Sequence, residues 1–305
     1  MDERVDLEAH RAELTAYCYR MLGSFQDAED QVQETLLRAW KARERYDPAR
    51  ASLRTWLYRI ATNVCLTALE SRGRRPLPSG LGAPSRDTEA PLRPALDIPW
   101  LEPFPDARFD ADARADLRLA WVAAVQELPA RQRAALVLRD VLDFSAAEVA
   151  DQLGTTVAAV NSALQRARAA VAGLGDAADV REAPDPGRHA TIERYIHAFE
   201  AADVPALVRL LADDVVMEMP PVPLWYRGRE DYGLFMERVF RLNGTGWRAI
   251  PTSANGQPAL AAYAPSPGGG HHRHTLQVFT VVGGLVTANV VFADPALFDS
   301  FGLPR

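Results

Sequence analysis

Arginines, amides and hydroxyls at helical spacing are the first chemistry this chain offers. Residues 53–75 hold five arginines, Arg54, Arg59, Arg72, Arg74 and Arg75, against one acid, Glu70. Guanidinium groups hold phosphate, and an amide such as Asn63, one turn beyond Arg59, can read a base edge. Trp56 can stack on a base, although its apolar-stripe position favours the core. A second set lies at Thr156, Ala158, Asn161, Ser162, Gln165, Arg166 and Arg168, where Asn and Gln suit adenine and Arg suits guanine or phosphate. The last third carries acid–base types, Asp231, Tyr226, Tyr263, His271, His272, His274 and Asp294. None stands in a spacing that pairs a base with an orienting partner. The run GGGHHRH could ligate a metal, but it is not helical and has no carboxylate beside it; a flexible loop between strands is the preferred reading.

The elements that must position these groups are legible in the apolar periodicity. Residues 7–22 form a first helix on Leu14, Tyr17, Cys18, Met21 and Leu22, with Gly23 as its stop. Residues 27–40 follow, with Val32, Leu36, Ala39 and Trp40 on one face and acids at the start, where the helix dipole favours them. The polar turn 43–52 contains Asp47-Pro48. It leads into a helix that buries Trp56, Leu57, Ile60, Ala61 and Val64 and turns Thr55, Arg59, Thr62 and Asn63 outward. Further on, SAAE at Ser145–Glu148 is a capping box, Gly154 gives a tight turn, and the next helix buries Val157, Val160, Leu164 and Val171. That is a helix-turn-helix with 156–171 as its second helix.

DAEDQVQETLLRAW followed by TWLYRIATN resembles region 2 of the sigma-70 family in its extracytoplasmic-function branch. The resemblance implies that the first helix docks on core RNA polymerase through Asp27, Asp30, Gln33, Glu34, Leu37 and Trp40. It implies that the second, with the loop before it, holds the melted −10 strand through Arg54, Trp56, Arg59, Asn63, Arg72, Arg74 and Arg75. Residues 128–169 resemble sigma region 4, which reads the −35 element. Many family members carry Arg or Lys near Ala158 and Ala163, so fewer direct −35 contacts are expected here. The implied partners are core RNA polymerase and promoter DNA. No anti-sigma partner can be read from the sequence.

Between the two lies 76–108, with eight prolines from Pro76 to Pro105 and acids at Asp87, Glu89, Asp97, Glu102 and Asp106. It reads as an extended, mobile tether. The expected organisation is therefore 1–75 and 109–173 as two all-α helical domains, a Pro-rich acidic linker at 76–108, a second linker at 174–187, and an α+β domain at 188–305. In that last domain helices at 189–202, 204–211 and 230–242 precede a run of antiparallel strands, with a hairpin turn at Gly283-Gly284. IERYIHAFEAADVPALVRLLADDVVMEMPP, WYRGRED and FADPALFDSFGLP resemble the SnoaL-like branch of the NTF2-like cone fold. The resemblance implies a regulatory domain, with a small-molecule ligand of its pocket left open and no catalysis, cofactor or metal expected.

Composition bounds the rest. The 305 residues are 48% hydrophobic and 24% charged, enough for two or three cores, and the net charge of −6 argues against a free-standing duplex binder. No apolar run reaches membrane-span length and MDERVDLEAH is too charged for a signal peptide, so a cytoplasmic location with no membrane partner is expected. Cys18 and Cys65 read as buried reduced thiols. Two rivals stand beside the sigma reading. One is a cone-fold cyclase or isomerase fused to a helix-turn-helix head; the other is a free-standing helix-turn-helix regulator.

Overall fold

The computed structural model describes residues 6–71, 73–108, 117–172 and 187–305. Contacts divide the chain into two units: Met1–Arg75 with Arg108–Val180, and Pro76–Ala107 with Arg181–Arg305.

The helical unit begins with α1 (Arg11–Leu22), ended by Gly23 at φ 70, whose N–H bonds Tyr19 O. A residue without Cβ takes that left-handed end freely. Serine hydroxyls start the next two helices. Ser24 accepts from Asp27 N ahead of α2 (Phe25–Ala42), and Ser52 accepts from Thr55 N ahead of α3 (Leu53–Glu70). Each cap stabilises its helix by about 1 kcal/mol. Leu14, Met21, Val32, Leu36, Leu57, Ala61 and Val64 are buried among the three helices. Cys18 and Cys65 are buried free thiols, and the Cys65 thiol is pushed well up by its hydrogen bond with Cys18 and by burial.

Two expectations for α3 are corrected. Thr62 is fully buried, because the equally buried Tyr17 phenol needs a partner and finds the Thr62 hydroxyl at 2.7 Å. Trp56 stays half-buried at the start of α3, with its ring 5.1 Å from that of Tyr46 in the preceding loop.

The second half of this unit comprises α4 (Leu119–Gln126), α5 (Ala130–Leu136), a π-helical turn at Val137–Val141, α6 (Ala146–Gln152) and α7 (Val157–Ala172). The capping box forms as expected, with Ser145 and Glu148 bonding reciprocally. Gly154 turns the chain at φ 59, and Thr156 Oγ1 accepts from Ala159 N at 3.2 Å to open α7. The buried stripe of α7 is narrower than its periodicity suggests. Val160, Leu164 and Ala167 are inside, Val171 is half-buried, and Val157 at the exposed first turn is in solvent.

Arg133 of α5 ties the two halves together. It donates to Met21 O, to Gln126 Oε1 at 2.6 Å and to the carbonyls of Gln126 and Leu128, while Gln126 Nε2 donates to Arg20 O at 3.2 Å. The open carbonyls at the end of α1 thus receive side-chain donors. Burial pulls the Arg133 guanidinium down to about 10.

The second unit has α8 (Arg188–Glu200), α9 (Val204–Val208), α10 (Arg229–Asn243) and α11 (Leu297–Ser300) around a six-stranded sheet. Its strands are β1 (Leu211–Glu218), β2 (Trp225–Arg227), β3 (Arg248–Ala254), β4 (Gln257–Pro265), β5 (His271–Val282) and β6 (Leu285–Phe292), in the order β2-β1-β6-β5-β4-β3. The sheet is mixed rather than antiparallel throughout. The chain leaves β1, crosses to the far edge, and returns through three reversals so that β6 arrives parallel to β1. The expected turn at Gly283-Gly284 has φ 57 and 78, and Asn255-Gly256 makes a matching one at φ 57 and 68.

Ile192, Tyr195, Ile196 and Phe199 of α8 pack on the helix-facing side of the sheet with Met217, Tyr226, Phe279 and Val281. Alternate residues Leu276, Val278, Val290 and Phe292 point to the other side and are also buried. The expectation of a mobile linker fails here. Residues 76–107 wrap the β2 edge, with Ser85 N donating to Trp225 O, Trp225 Nε1 to Gly82 O and Tyr226 OH to Asp87 O. Arg238 donates to the carbonyls of Thr88 and Ala90. Asn255 exchanges two bonds with Phe104, and Asp106 accepts from Gly256 N. Leu77, Trp100, Leu101 and Phe104 are buried. The prolines keep the segment extended, and its scattered apolar side chains find a surface that local periodicity cannot reveal.

Candidate functional site

Three surfaces of the helical unit carry the groups singled out from the sequence. On α2, Asp30, Gln33, Leu37 and Trp40 are exposed along one face, and half-buried Glu34 joins them, paired with Arg38 at 2.6 Å. Leu37 is 46% and Trp40 57% exposed, an apolar pair one turn apart in an acidic setting. The Arg43 guanidinium lies 4.3 Å from the Trp40 ring centre. Asp27 departs from this face. It takes an ion pair from Arg75 at 2.5 Å, each side chain 13% exposed, because the chain leaving α3 returns past the start of α2. Neither is presented to an outside partner, although the sequence placed them in two different sites.

On α3, Arg59 and Asn63 stand on the outward face as expected. The half-buried Trp56 pairs with Tyr46, and together they offer two adjacent aromatic surfaces at the mouth of the loop. Tyr46 escaped the sequence reading; the available signal was an aromatic residue inside an otherwise polar turn. Arg54 is engaged within the unit. It bonds Glu13 Oε2 at 3.0 Å and lies 4.9 Å from the Tyr58 ring centre and 4.7 Å from that of Phe144. The Glu13 carboxyl is held below its usual range: burial works the other way, but bonds from His10, Arg54 and Tyr58 outweigh it. Arg74 is exposed and pairs with Glu127. Arg72 lies outside the described residues.

On α7, Ala158, Asn161, Ser162, Gln165 and Arg166 are exposed, flanking the buried stripe, and Thr156 stands exposed at the helix start as its cap. Arg166 Nη1 donates to Ser162 Oγ at 2.7 Å. Arg168 turns back onto its own scaffold and makes a two-pronged pair with Asp140 at 2.6 and 2.8 Å. It braces α7 rather than extending the outward set.

The acid–base types of the second unit are dispersed. Tyr226 OH is spent on the linker and Tyr263 OH on Pro304 O, while Asp294 caps Ala296 N. His271–His274 lie on β5, not in a loop. His271 bonds Gly246 O, His272 bonds Ser266 Oγ, and His274 sits edge-on to Trp247. Among the described residues no three His, Cys, Asp or Glu side chains gather as metal ligands. The interior instead holds Tyr195, Tyr232, Asn289 and Gln277. The two phenols are 2.6 Å apart, and Asn289 Nδ2 donates to Tyr232 OH at 2.7 Å and Gln277 Oε1 at 3.0 Å. Burial pushes Tyr232 up to about 12 and Tyr195 well above its usual range, so neither titrates near neutrality. Glu218, on the opposite face, is raised by burial against the bond from Ser79 N.

The geometry is therefore that of two outward-facing helices and one exposed apolar–acidic helix face on one unit, and a cone whose interior holds a cluster of two phenols and two amides. Comparison with known families agrees with that division. Sigma-70 region 2 matches residues 7–75, Sigma-70 region 4 matches 118–171, and the SnoaL-like domain matches 192–289. The ECF RNA polymerase sigma factor SigG of Mycobacterium tuberculosis (strain ATCC 25618 / H37Rv) is 49% identical, with 99% of this chain and 85% of that protein aligned. The SigJ sigma factor of the same strain is 30% identical over 96% of this chain and 92% of its own length. The crystal structure of M. tuberculosis SigJ superposes with a TM-score of 0.69 at 27% identity, over 99% of this chain and all of that one. No helix among the described residues is long and apolar enough to cross a membrane. With regions 2 and 4 in order ahead of a SnoaL-like domain, and kinship along nearly its whole length, the chain belongs to the extracytoplasmic-function sigma factors of the sigma-70 family.

Proposed function

We propose that this sigma factor, acting in the cytoplasm, binds core RNA polymerase through the α2 face of Asp30, Gln33, Glu34, Leu37 and Trp40. In the same reading, α3 and its loop hold the −10 strand, with Tyr46 and Trp56 receiving bases, Arg59 holding phosphate and Asn63 reading an edge. The exposed face of α7 enters the −35 major groove, where Asn161 and Gln165 are base readers, Arg166 takes guanine or phosphate, and Ala158 can meet a thymine methyl. The observation that carries the assignment is the exposed Leu37–Trp40 pair, two large apolar side chains one turn apart among acids on the helix that falls within the sigma-70 region 2 match.

The C-terminal unit tunes this activity and makes or breaks no bond. Support comes from the linker. The segment joining the two promoter-binding regions is held along its length by Trp225, Tyr226, Arg238 and Asn255 of that unit. The interior cluster of two phenols and two amides is bonded internally, each phenol and Asn289 Nδ2 taking a partner within it.

Retention of purified core polymerase by the full chain tests the assignment. Trp40→Ala is expected to weaken retention about tenfold or more, as a buried aromatic anchor does, while leaving thermal stability within about 0.5 kcal/mol. Undiminished retention by Trp40→Ala and Leu37→Ala together would sink the α2 assignment.

A further inference from the structure

Asp213 and Asp214 of β1 are exposed, but the third acid of that strand, Glu218, is 6% exposed on the face turned away from the helices. Trp225 of β2 and Val290 of β6 stand level with it. The start of the linker closes over it. Pro76, Leu77 and Pro78 are buried, and the short turn Pro78–Gly80 sets Ser79 N 2.8 Å from Glu218 Oε1, with the Ser79 hydroxyl bonding the same carboxyl. The returning end of the linker is fastened at the same place, where Leu101 N donates to Pro76 O at 3.2 Å.

A buried carboxylate ordinarily takes a cation. Among the described residues none pairs with Glu218; burial and the two Ser79 bonds are what act on it. Residues 76–84 and all of β6 carry no titratable side chain. β2 brings Tyr226, bonded to Asp87 O, and the exposed Arg227. The returning linker brings Glu102 and also Asp106, which accepts from Gly256 N, and the turn after β6 brings Asp294, which caps Ala296 N. Burial outweighs the two donors, and the Glu218 carboxyl is held above its usual range.

We propose that Glu218 is a proton-linked latch on the linker: docking of residues 76–80 takes up a proton from solvent at this carboxyl, so acid tightens the hold of the C-terminal unit on the segment that joins the two promoter-binding regions. Lifting the linker exposes the carboxyl to water, where it returns to its ordinary value of 4.5. The docked form therefore keeps a proton that the lifted form releases. Docking is strongest below the ordinary value and weakens as the pH rises through the higher, docked one. The neutral acid still accepts from Ser79 N and can give its own proton to the Ser79 hydroxyl oxygen, so protonation removes the buried charge without losing a partner. His274 of the same unit titrates in the opposite sense, and the linker itself must be read rather than overall stability. The latch needs no polymerase; its effect on transcription rests on the assignment of the C-terminal unit as tuner.

The test is hydrogen exchange of the full chain, read by mass spectrometry at the amides of residues 77–82 and expressed as protection relative to the intrinsic rate at each pH. From about pH 5 to about pH 8, wild-type protection there is expected to fall about three- to tenfold, beyond any change at the amides of β4. Glu218→Gln keeps the shape and an acceptor for Ser79 N but does not titrate. Its protection is expected to stay level and to exceed that of the wild type at the alkaline end. Ser79→Ala removes a donor to the charged form and is expected to deepen the fall. Level protection in the wild type, or an equal fall in the wild type and Glu218→Gln, overturns the proposal. Run-off transcription by the two holoenzymes reports on the tuning assignment separately, since the exchange readout contains no polymerase. Output that differs between them at the alkaline end supports that assignment. Identical output beside altered exchange removes the tuning role and leaves the latch standing.

Discussion

Arg75 Nη2 donates to Asp27 Oδ2 at 2.5 Å and closes the end of the region 2 chain onto the start of α2. Two residues that looked like members of a polymerase site and a DNA site are in fact each other's partners. Both side chains are largely buried, so the pair is a structural clasp. Arg75→Ala removes this largely buried ion pair and is expected to cost about 2–4 kcal/mol in urea unfolding followed by circular dichroism. The salt dependence of promoter binding by the holoenzyme should stay as it is. Arg59→Ala is expected to do the reverse, reducing the salt slope by about one with little loss of stability.

Asn161 and Arg168 separate in the same way on α7. Asn161→Ala is expected to lose about 1–3 kcal/mol of discrimination at one −35 base pair, measured by competition between promoter variants. Arg168 is committed to Asp140, and its alanine variant should leave base preference intact. It should lower stability by no more than about 1 kcal/mol, because the pair is partly exposed. Altered base preference in Arg168→Ala would place that side chain back among the readers.

The linker's place on the sheet predicts a stability effect within the C-terminal unit. Phe104 is fully buried, and Phe104→Ala is expected to destabilise the C-terminal unit by about 3–5 kcal/mol in thermal unfolding. A fragment spanning 188–305 should melt lower than the unit does in the full chain, and a synthetic peptide of residues 76–108 should raise its melting temperature. No shift on adding the peptide would mean the linker's contacts contribute little.

His274 gives the C-terminal unit a pH dependence. Burial pulls its imidazole down to about 4, and His272 adds to the effect. The folded state therefore resists protonation that the unfolded chain accepts near 6.5. Stability is full above that value and falls as the pH drops from about 6.5 to about 4. With partial exposure taken into account, the loss is about 1–2 kcal/mol. His274→Phe should flatten this part of the stability–pH curve, read as melting temperature across the same range.

Local signals made much of this molecule legible before its coordinates. Ser145 and Glu148, Gly23, Gly154 and the Gly283-Gly284 turn each act within a few residues, and each formed as its chemistry dictates. Most of the outward set on α7 also followed from helical phase, whereas on α2 the phase placed Trp40 with Val32, Leu36 and Ala39 and it stands in solvent instead. What stayed hidden depends on partners distant in sequence. Thr62 looked like a surface residue because its partner Tyr17 lies on another helix, and Asp27 looked free because Arg75 returns from 48 residues away. The linker misled most, since buried Leu101 and Phe104 in a proline-rich stretch follow no period that a single sequence displays.

The wrapping of residues 76–107 around a sheet built from 211–292 also has a consequence in time. The strap leaves the ribosome first, and its binding surface is complete only when β6 has been made. At roughly 5–20 residues per second, about ten to forty seconds separate the two. Region 2 has emerged before the strap and region 4 emerges during that interval, and the local contacts of both helical bodies let them fold early. A nascent chain therefore passes through a stage in which both promoter-binding halves exist and the domain that holds their connecting strap does not. Any restraint that depends on the strap begins only when synthesis of β6 is complete.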